Sequence, residues 1–358
     1  MTRSALEIGA DNIVHNCAAL TSGESVLLIH EDPALGWYDL DAPMAVADAV
    51  RKVGIEPTIL KVGQPSNDAD PVAADAIAAH DCTIFFARLG DQDRFADPVP
   101  GRRSVMSYAR NADTLGSNYG TIPHGAFYDF KEAVNEVLLG ASSIRITCPL
   151  GTDVSGGDWD RDVDNSADVS VMRFPIGVPH AIGASGFTGR VALARYLTTT
   201  GSKVYHPDNL AISEPVFAEI SGGRITGFTG DADGVADVEQ HYKHVSETFG
   251  IEPDFVHSWH AGIHPGCSYG EDASVHPDRW SNNVFTHPRF LHFHTCGAYP
   301  PGEICWMVQD HTVTVDGTDF WKDGRLQPDA FGPTAACLEK WPALVDLFAN
   351  PSRQIGID

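Results

Sequence analysis

Over the first 150 residues, two hydrophobic patterns alternate. Ser25 to His30 is a short apolar run opened by Gly23, and Pro57 to Val62 and Cys82 to Ala87 are two more. Between them, Pro43 to Val53 and Val72 to Ala79 carry Ala, Met and Val at helical spacing, the first stopping at Gly54. A longer helical pattern, Phe127 to Leu139, stops at Gly140 and leads into a strand pattern, Ser143 to Cys148. Strands alternating with helices predict βαβ units on a parallel sheet. Residues 150–175 are rich in Gly and Asp and read as a loop and domain boundary. Beyond them the texture changes: Phe217–Ile220, Arg224–Phe228, Phe290–His294 and His311–Val315 read as short strands among Gly-rich turns. Only Val235 to Phe249 is clearly helical there, and its His241 and His244 read as a solvated face. The tail from Pro351 reads as weakly ordered. The expected fold is therefore an α/β N-terminal domain over 1–150, flavodoxin-like with a parallel sheet, and an α+β domain over 151–358 with a largely antiparallel sheet that carries the site.

Composition narrows the partners. With 24 Lys+Arg against 48 Asp+Glu the net charge is −24, which opposes a nucleic-acid or anionic-membrane surface, since both need a cationic footprint. No stretch approaches the ~18 apolar residues of a membrane span, and the N-terminus lacks a signal-type apolar run. These features predict a soluble cytoplasmic protein with neither nucleic acid nor membrane as partner. The seven cysteines are odd in number and lack a CxxC, so neither a disulfide framework nor a thiolate zinc site is expected. No G-x-G-x-x-G follows the first strand and no G-K-[ST] occurs, which removes the usual nucleotide anchors.

Histidine carries the chemistry. Ten of the sixteen histidines fall between His241 and His311. In His257-Ser-Trp-His260-Ala-Gly-Ile-His264, positions 260 and 264 share a face in a strand or a helix, while His257 joins His260 only in a helix. In His292-Phe-His294 both imidazoles leave a strand on one side and Phe293 on the other. Asp310-His311 enters the last strand run. Imidazoles with one carboxylate are the ligand set of a borderline divalent metal, either zinc or the facial triad of non-heme Fe(II). The predicted ligand pool is His260, His264, His292, His294 and Asp310, three or four of them bound to one divalent metal per subunit. Glu271 and Glu303 are the carboxylates nearest in sequence to support the ligands. His180, in the Gly-flanked loop Gly177-Val-Pro-His-Ala, is the candidate general base. Gly266-Cys-Ser268-Tyr-Gly270 matches G-x-S-x-G, but Pro265 precedes it and a poor helix former follows, so a Gly-rich turn is the better reading. No H-E-x-x-H occurs, which excludes a zincin protease.

The order of three landmarks resembles a known superfamily. Ser143-Ile-Arg-Ile-Thr-Cys-Pro-Leu-Gly-Thr-Asp153, the segment Glu214-Pro-Val…Gly-Gly-Arg-Ile, and Val315-Asp-Gly…Lys-Asp-Gly-Arg-Leu326 are similar to segments of the thermophilic-type metallo-aminopeptidases, a superfamily that includes 2,5-dihydroxypyridine 5,6-dioxygenase. Where those peptidases place two Glu ligands, this chain reads Val178-Pro-His180-Ala-Ile and Ser258-Trp-His260-Ala-Gly-Ile-His264-Pro, with imidazoles in place of carboxylates. A two-metal peptidase site needs bridging carboxylates, so the resemblance is to the dioxygenase-like branch. It implies that Asp310, in Val308-Gln-Asp310, keeps a family carboxylate ligand whose His neighbour is absent, and that His292 or His294 replaces that His. It also implies a homo-oligomer. The expected function is an Fe(II) enzyme opening a small hydroxylated aromatic or N-heteroaromatic ring with O2, with Trp259, Phe293 and Trp306 as candidates to sandwich the ring. The alternatives are a zinc- or manganese-dependent hydrolase of a small cyclic ester, amide or aryl amine, and a binding protein that has lost its metal.

Overall fold

A computed structural model describes residues 3–92, 94–157 and 169–357. Within it the chain divides into two units: Met1–Asp129 with Val169–Gly177 and Gly266–Ser268 form one, and the remainder the other.

The first unit is built on a five-stranded parallel sheet. In sheet order the strands are Thr58–Val62, Val26–Glu31, Cys82–Phe86, Arg103–Ser107 and Met172–Phe174. In chain order that is 2-1-3-4-5, the flavodoxin-like winding. Of the three apolar runs read from sequence, Val26–Glu31 and Cys82–Phe86 are interior strands buried along their whole length, and Thr58–Val62 is the more exposed edge strand. Helix Asp41–Lys52 buries Ala42, Val46, Ala47, Ala49 and Val50, and helix Pro71–Ala78 starts on an Asp70 cap with Pro71 at its first turn. Arg103–Ser107 and Met172–Phe174 escape the sequence pattern: the first is polar at its start, the second only three residues long. Met172–Phe174 also lies inside the stretch expected to be loop, as does the strand Asp153–Gly156. The rest of that expected loop, 158–168, lies outside the described residues.

The second unit holds two antiparallel sheets, one of six strands and one of eight. Ile144–Thr147, expected to extend the parallel sheet, pairs antiparallel with Asp153–Gly156 and Thr312–Val315 in the eight-stranded sheet. Its alternating burial is the signature of a half-covered antiparallel strand. The hairpin Val216–Ser221 and Arg224–Gly230 turns at Gly222 and Gly223, both left-handed. Helix Ala232–Phe249 runs from an Asp231 cap to a left-handed Gly250. Three further helices, Pro277–Val284, Gly332–Lys340 and Pro342–Ala349, are not expected from the sequence; each is only eight or nine residues long and opens with a proline in its first turn. The tail is firmly held: Ile355 is fully buried, its carbonyl accepts from Trp280 Nε1 at 2.8 Å, and Gln354 O accepts from Tyr269 N at 2.8 Å.

The six-stranded sheet positions the site. Its central strands are Val256–Ala261, Phe290–Thr295 and Ile304–Gln309, antiparallel to one another. Period-two alternation gives each two faces. One face carries Trp259, Phe293 and Trp306, all fully buried. Trp259 meets Phe187 edge-on at 6.1 Å, Trp306 Nε1 donates to Tyr242 Oη at 2.5 Å, and Tyr242 Oη is in turn bonded to Thr295 Oγ1. The other face carries the histidines, with Cys305 and Met307 beside them. The seven cysteines are all free thiols, and five of them are buried. Among the described residues no helix is long and apolar enough to cross a membrane.

Candidate metal centre

The pairing register assembles the site. His260 lies directly opposite His292 on the neighbouring strand, and His294 opposite Ser258, so positions 260, 292 and 294 leave one face of the sheet together. Their ring centroids stand 5.2 Å (260–292), 5.4 Å (260–294) and 4.9 Å (292–294) apart. One ring nitrogen from each falls within 4.8 Å of the other two. Three nitrogens around one metal at bond lengths of ~2.0–2.2 Å stand about 3–3.5 Å apart, so small ring rotations close the trio on an ion. His292 and His294 are buried and His260 is half-buried, which keeps the donors out of bulk water without sealing them from a ligand.

Each imidazole has its own support. His260 Nδ1 lies 3.0 Å from Pro179 O. Only a protonated Nδ1 can donate to a carbonyl, so this contact leaves Nε2 as the lone-pair nitrogen, the support a metal-binding His usually has. Phe285 stacks on His292 with centroids 4.2 Å apart and planes 22° from parallel. Cys305 Sγ lies 3.8 Å from His294 Nδ1. Phe285, Phe290 and Met307 adjoin the trio and belong to a buried apolar cluster that also holds Tyr269, Trp280 and Val284.

The structure brings together three of the five residues in the expected ligand pool. His264 stays outside because the strand ends at Ala261, short of that residue. The next residue, Gly262, passes so close to the His287 carbonyl that a Cβ there would sit 2.2 Å from it, and the chain turns away, with His264 N donating to Thr286 O at 2.9 Å. His264 is fully buried. Asp310 also stands apart: its backbone is left-handed at φ 52°, and its carboxylate takes a two-pronged pair from Arg289 at 2.6 and 2.8 Å plus a 3.0 Å bond from Gln309 Nε2. Burial pushes its carboxyl up, but the Arg289 contacts outweigh that, and the net shift is down from 3.8. Asp310 is thus an ionised carboxylate already engaged by a cation, and the trio itself is all imidazole.

The remaining expectations divide. His257 points away from the trio, because the segment is a strand rather than a helix, and burial holds its pKa down at about 4. Trp259, Phe293 and Trp306 lie on the opposite face and pack in the core, so they do not sandwich a ring at the trio. Glu303 is fully buried and bonded to Tyr299 Oη and, at 2.9 Å, to Ser202 Oγ, whereas Glu271 pairs with Arg279 at 3.2 Å near the tail. His241 is buried against Tyr205 rather than solvated, with its pKa held down at about 4 by burial, while His244 does lie at the surface and bonds to His206 O. Ser268 follows a turn at Pro265 and Gly266, and no helix begins before Pro277. His180 is buried, its Nδ1 donates to Ala181 O at 2.8 Å, and its backbone N–H donates to Asn135 Oδ1 at 2.8 Å. Sequence reasoning missed Pro179, Asn135, Phe285 and Cys305. A backbone carbonyl leaves no residue-type signal, but Cys305 was within reach, because a residue paired across from His294 shares its face.

Searches with the sequence find no matching family profile and no matching curated protein. Comparison of folds finds similar solved structures, among them the following two. A 2,5-dihydroxypyridine dioxygenase from Pseudomonas putida KT2440 superposes with a TM-score of 0.63 at 13% identity, covering 93% of this chain and 100% of the other. Wild-type AmpT from Thermus thermophilus superposes with a TM-score of 0.52 at 11% identity, covering 90% of this chain and 99% of the other. At such identities the likeness is one of fold, and it spans essentially the whole chain, both units included.

Proposed function

We propose that this protein is a mononuclear metal-dependent enzyme whose ion is held by His260, His292 and His294. The observation that carries this reading is the convergence of three imidazole nitrogens within 4.8 Å on one sheet face. Such a cluster of buried polar rings on an otherwise apolar wall has no packing rationale, since burying imidazole costs free energy that an apolar side chain would not.

Within that class we favour a non-heme Fe(II) dioxygenase that opens a small hydroxylated aromatic or N-heteroaromatic ring. The likeness of fold to a dihydroxypyridine dioxygenase supports it, as does the absence of paired bridging carboxylates from the trio. Bound there, Fe(II) would supply the one-electron chemistry that couples the ring to O2. The chain supplies the rest. Pro179 O fixes the His260 tautomer. Phe285 and the neighbouring apolar side chains exclude water and offer a flat surface to a planar substrate. His180 has Nδ1 donating to Ala181 O, so its neutral ring carries the lone pair on Nε2, the form that accepts a hydroxyl proton. On this reading the partner is a small aromatic molecule and the protein is a cytoplasmic homo-oligomer.

One observation favours a second reading. No carboxylate joins the trio among the described residues, and three imidazoles with an open position are also the ligand set of zinc enzymes that activate water. That reading is a hydrolase of a small cyclic ester, amide or aryl amine. Metal analysis with oxygen-uptake assays separates the two. Iron with uptake on a hydroxylated aromatic supports the dioxygenase. Zinc or manganese without uptake supports the hydrolase. No stoichiometric metal contradicts both.

A further inference from the structure

We propose that Asn135 is a positioning residue for the metal site, acting through the loop Pro179–Ala181; the inference rests on His260 being a metal ligand. Asn135 sits in the interior of helix His124–Gly140, buried beside Val134 and Leu138. Asn is a poor choice for such a place, because its side chain competes for backbone hydrogen bonds and gains nothing from an apolar setting. What it does there is specific: Oδ1 accepts the backbone N–H of His180 at 2.8 Å. That bond pins one peptide in a loop that lacks regular secondary structure until Ile182.

The two carbonyls flanking His180 are the ones that matter. The preceding carbonyl, Pro179 O, accepts from His260 Nδ1 at 3.0 Å. The following one, Ala181 O, accepts from His180 Nδ1 at 2.8 Å. Both contacts require the Nδ1–H tautomer and leave Nε2 as the lone-pair nitrogen, at His260 for the metal and at His180 for a proton. The Pro179 carbonyl belongs to the same peptide unit as the His180 N–H, so the Asn135 bond fixes that unit's rotation. A turn of the peptide swings Pro179 O off His260 and releases its tautomer. The metal ligand is thereby supported from helix His124–Gly140 through a single peptide plane. His180 takes its own partner, the Ala181 carbonyl, from the same irregular loop.

The test compares Asn135→Leu, which removes the acceptor at similar volume, with Asn135→Asp, which keeps an acceptor oxygen. Two readouts are taken on full-length metal-free protein. Long-range 1H–15N spectra report the tautomers of His260 and His180, assigned with His260→Gln and His180→Gln. Titration with Zn(II) and, anaerobically, Fe(II) reports affinity. The expected result is Nδ1–H at both histidines in the wild type and in Asn135→Asp. In Asn135→Leu the tautomers become mixed and metal affinity falls about 10–100-fold, the usual cost of losing a ligand's outer support. Asn135→Ala carries the same comparison if the Leu variant does not fold. Unchanged tautomers and unchanged affinity in the folded acceptor-less variant would overturn the proposal. If instead the wild type binds no metal, the metal reading fails while the tautomer readout still decides the role of Asn135.

Discussion

His260 and His292 face each other across two antiparallel strands, their rings 5.2 Å apart and 20° from parallel. Imidazoles directly opposite on a sheet are brought close by register alone, and a one-residue slip would send one of them to the other face. The site is therefore as rigid as the sheet. The ladder between the strands sets where the three rings stand, and the Pro179 carbonyl sets which nitrogen of His260 carries the proton.

The separation of the two sheet faces predicts separable effects. Tyr242→Phe removes the acceptor of Trp306 Nε1 on the face away from the histidines. It leaves a buried N–H unsatisfied and should cost about 1–3 kcal/mol of stability. Metal content should not change. Denaturant unfolding with metal analysis checks this, and a Tyr242→Phe protein that loses metal would show that the faces are coupled.

Asp310 offers the sharpest control on ligand assignment. Arg289→Ala breaks a pair whose side chains are 32% and 28% exposed, so the expected loss is about 1–2 kcal/mol, with metal binding retained. The pH dependence follows from the direction of the shift. The native carboxyl titrates below its ordinary value of 3.8, so the pair's contribution is present above that value and fades as the pH falls through the lowered native one. Wild type and Arg289→Ala should converge in stability at strongly acid pH. A constant gap between them down to the acid limit would contradict the role given to the pair.

Four buried histidines outside the trio predict acid sensitivity. Burial holds His241, His257 and His287 at about 4 and His311 at about 3, against 6.5 when free. As the pH falls below 6.5 the unfolded chain takes up these protons first, and the native state resists them until about 4. Stability is therefore greatest above that window and falls within it, by up to ~1.4 kcal/mol per pH unit for each group. Urea midpoints at about pH 7.5 and about pH 5 should differ clearly. Equal midpoints would mean that these rings are protonated in the native state.

Much of this was legible in the residues, and the exceptions have physical causes. Val26–Glu31 and Cys82–Phe86 announce themselves because a parallel strand buried on both faces must be apolar throughout. His292-Phe-His294 announces its two faces because the strand period is two. Ile144–Thr147 reads as a strand but not as a member of the antiparallel sheet, since one partner, Thr312–Val315, lies far along the chain and the other, Asp153–Gly156, falls in a Gly- and Asp-rich stretch that reads as loop. The end of the strand at Ala261, which keeps His264 from the trio, is set by a close pass of Gly262 over the His287 carbonyl. No local pattern encodes such a pass. Asp310 looked like a ligand by its place in a family pattern, and only the tertiary fold brings Arg289 to its carboxylate.

The central claim is that three imidazoles hold one metal, and the most direct measurement is metal stoichiometry and affinity in single variants of the metal-free protein. His260→Ala, His292→Ala and His294→Ala should each lose tight binding while keeping the fold, and His264→Ala and Asp310→Ala should retain it. Full metal occupancy in the His292→Ala and His294→Ala proteins, or a wild-type protein that takes up no stoichiometric divalent metal, would contradict the account.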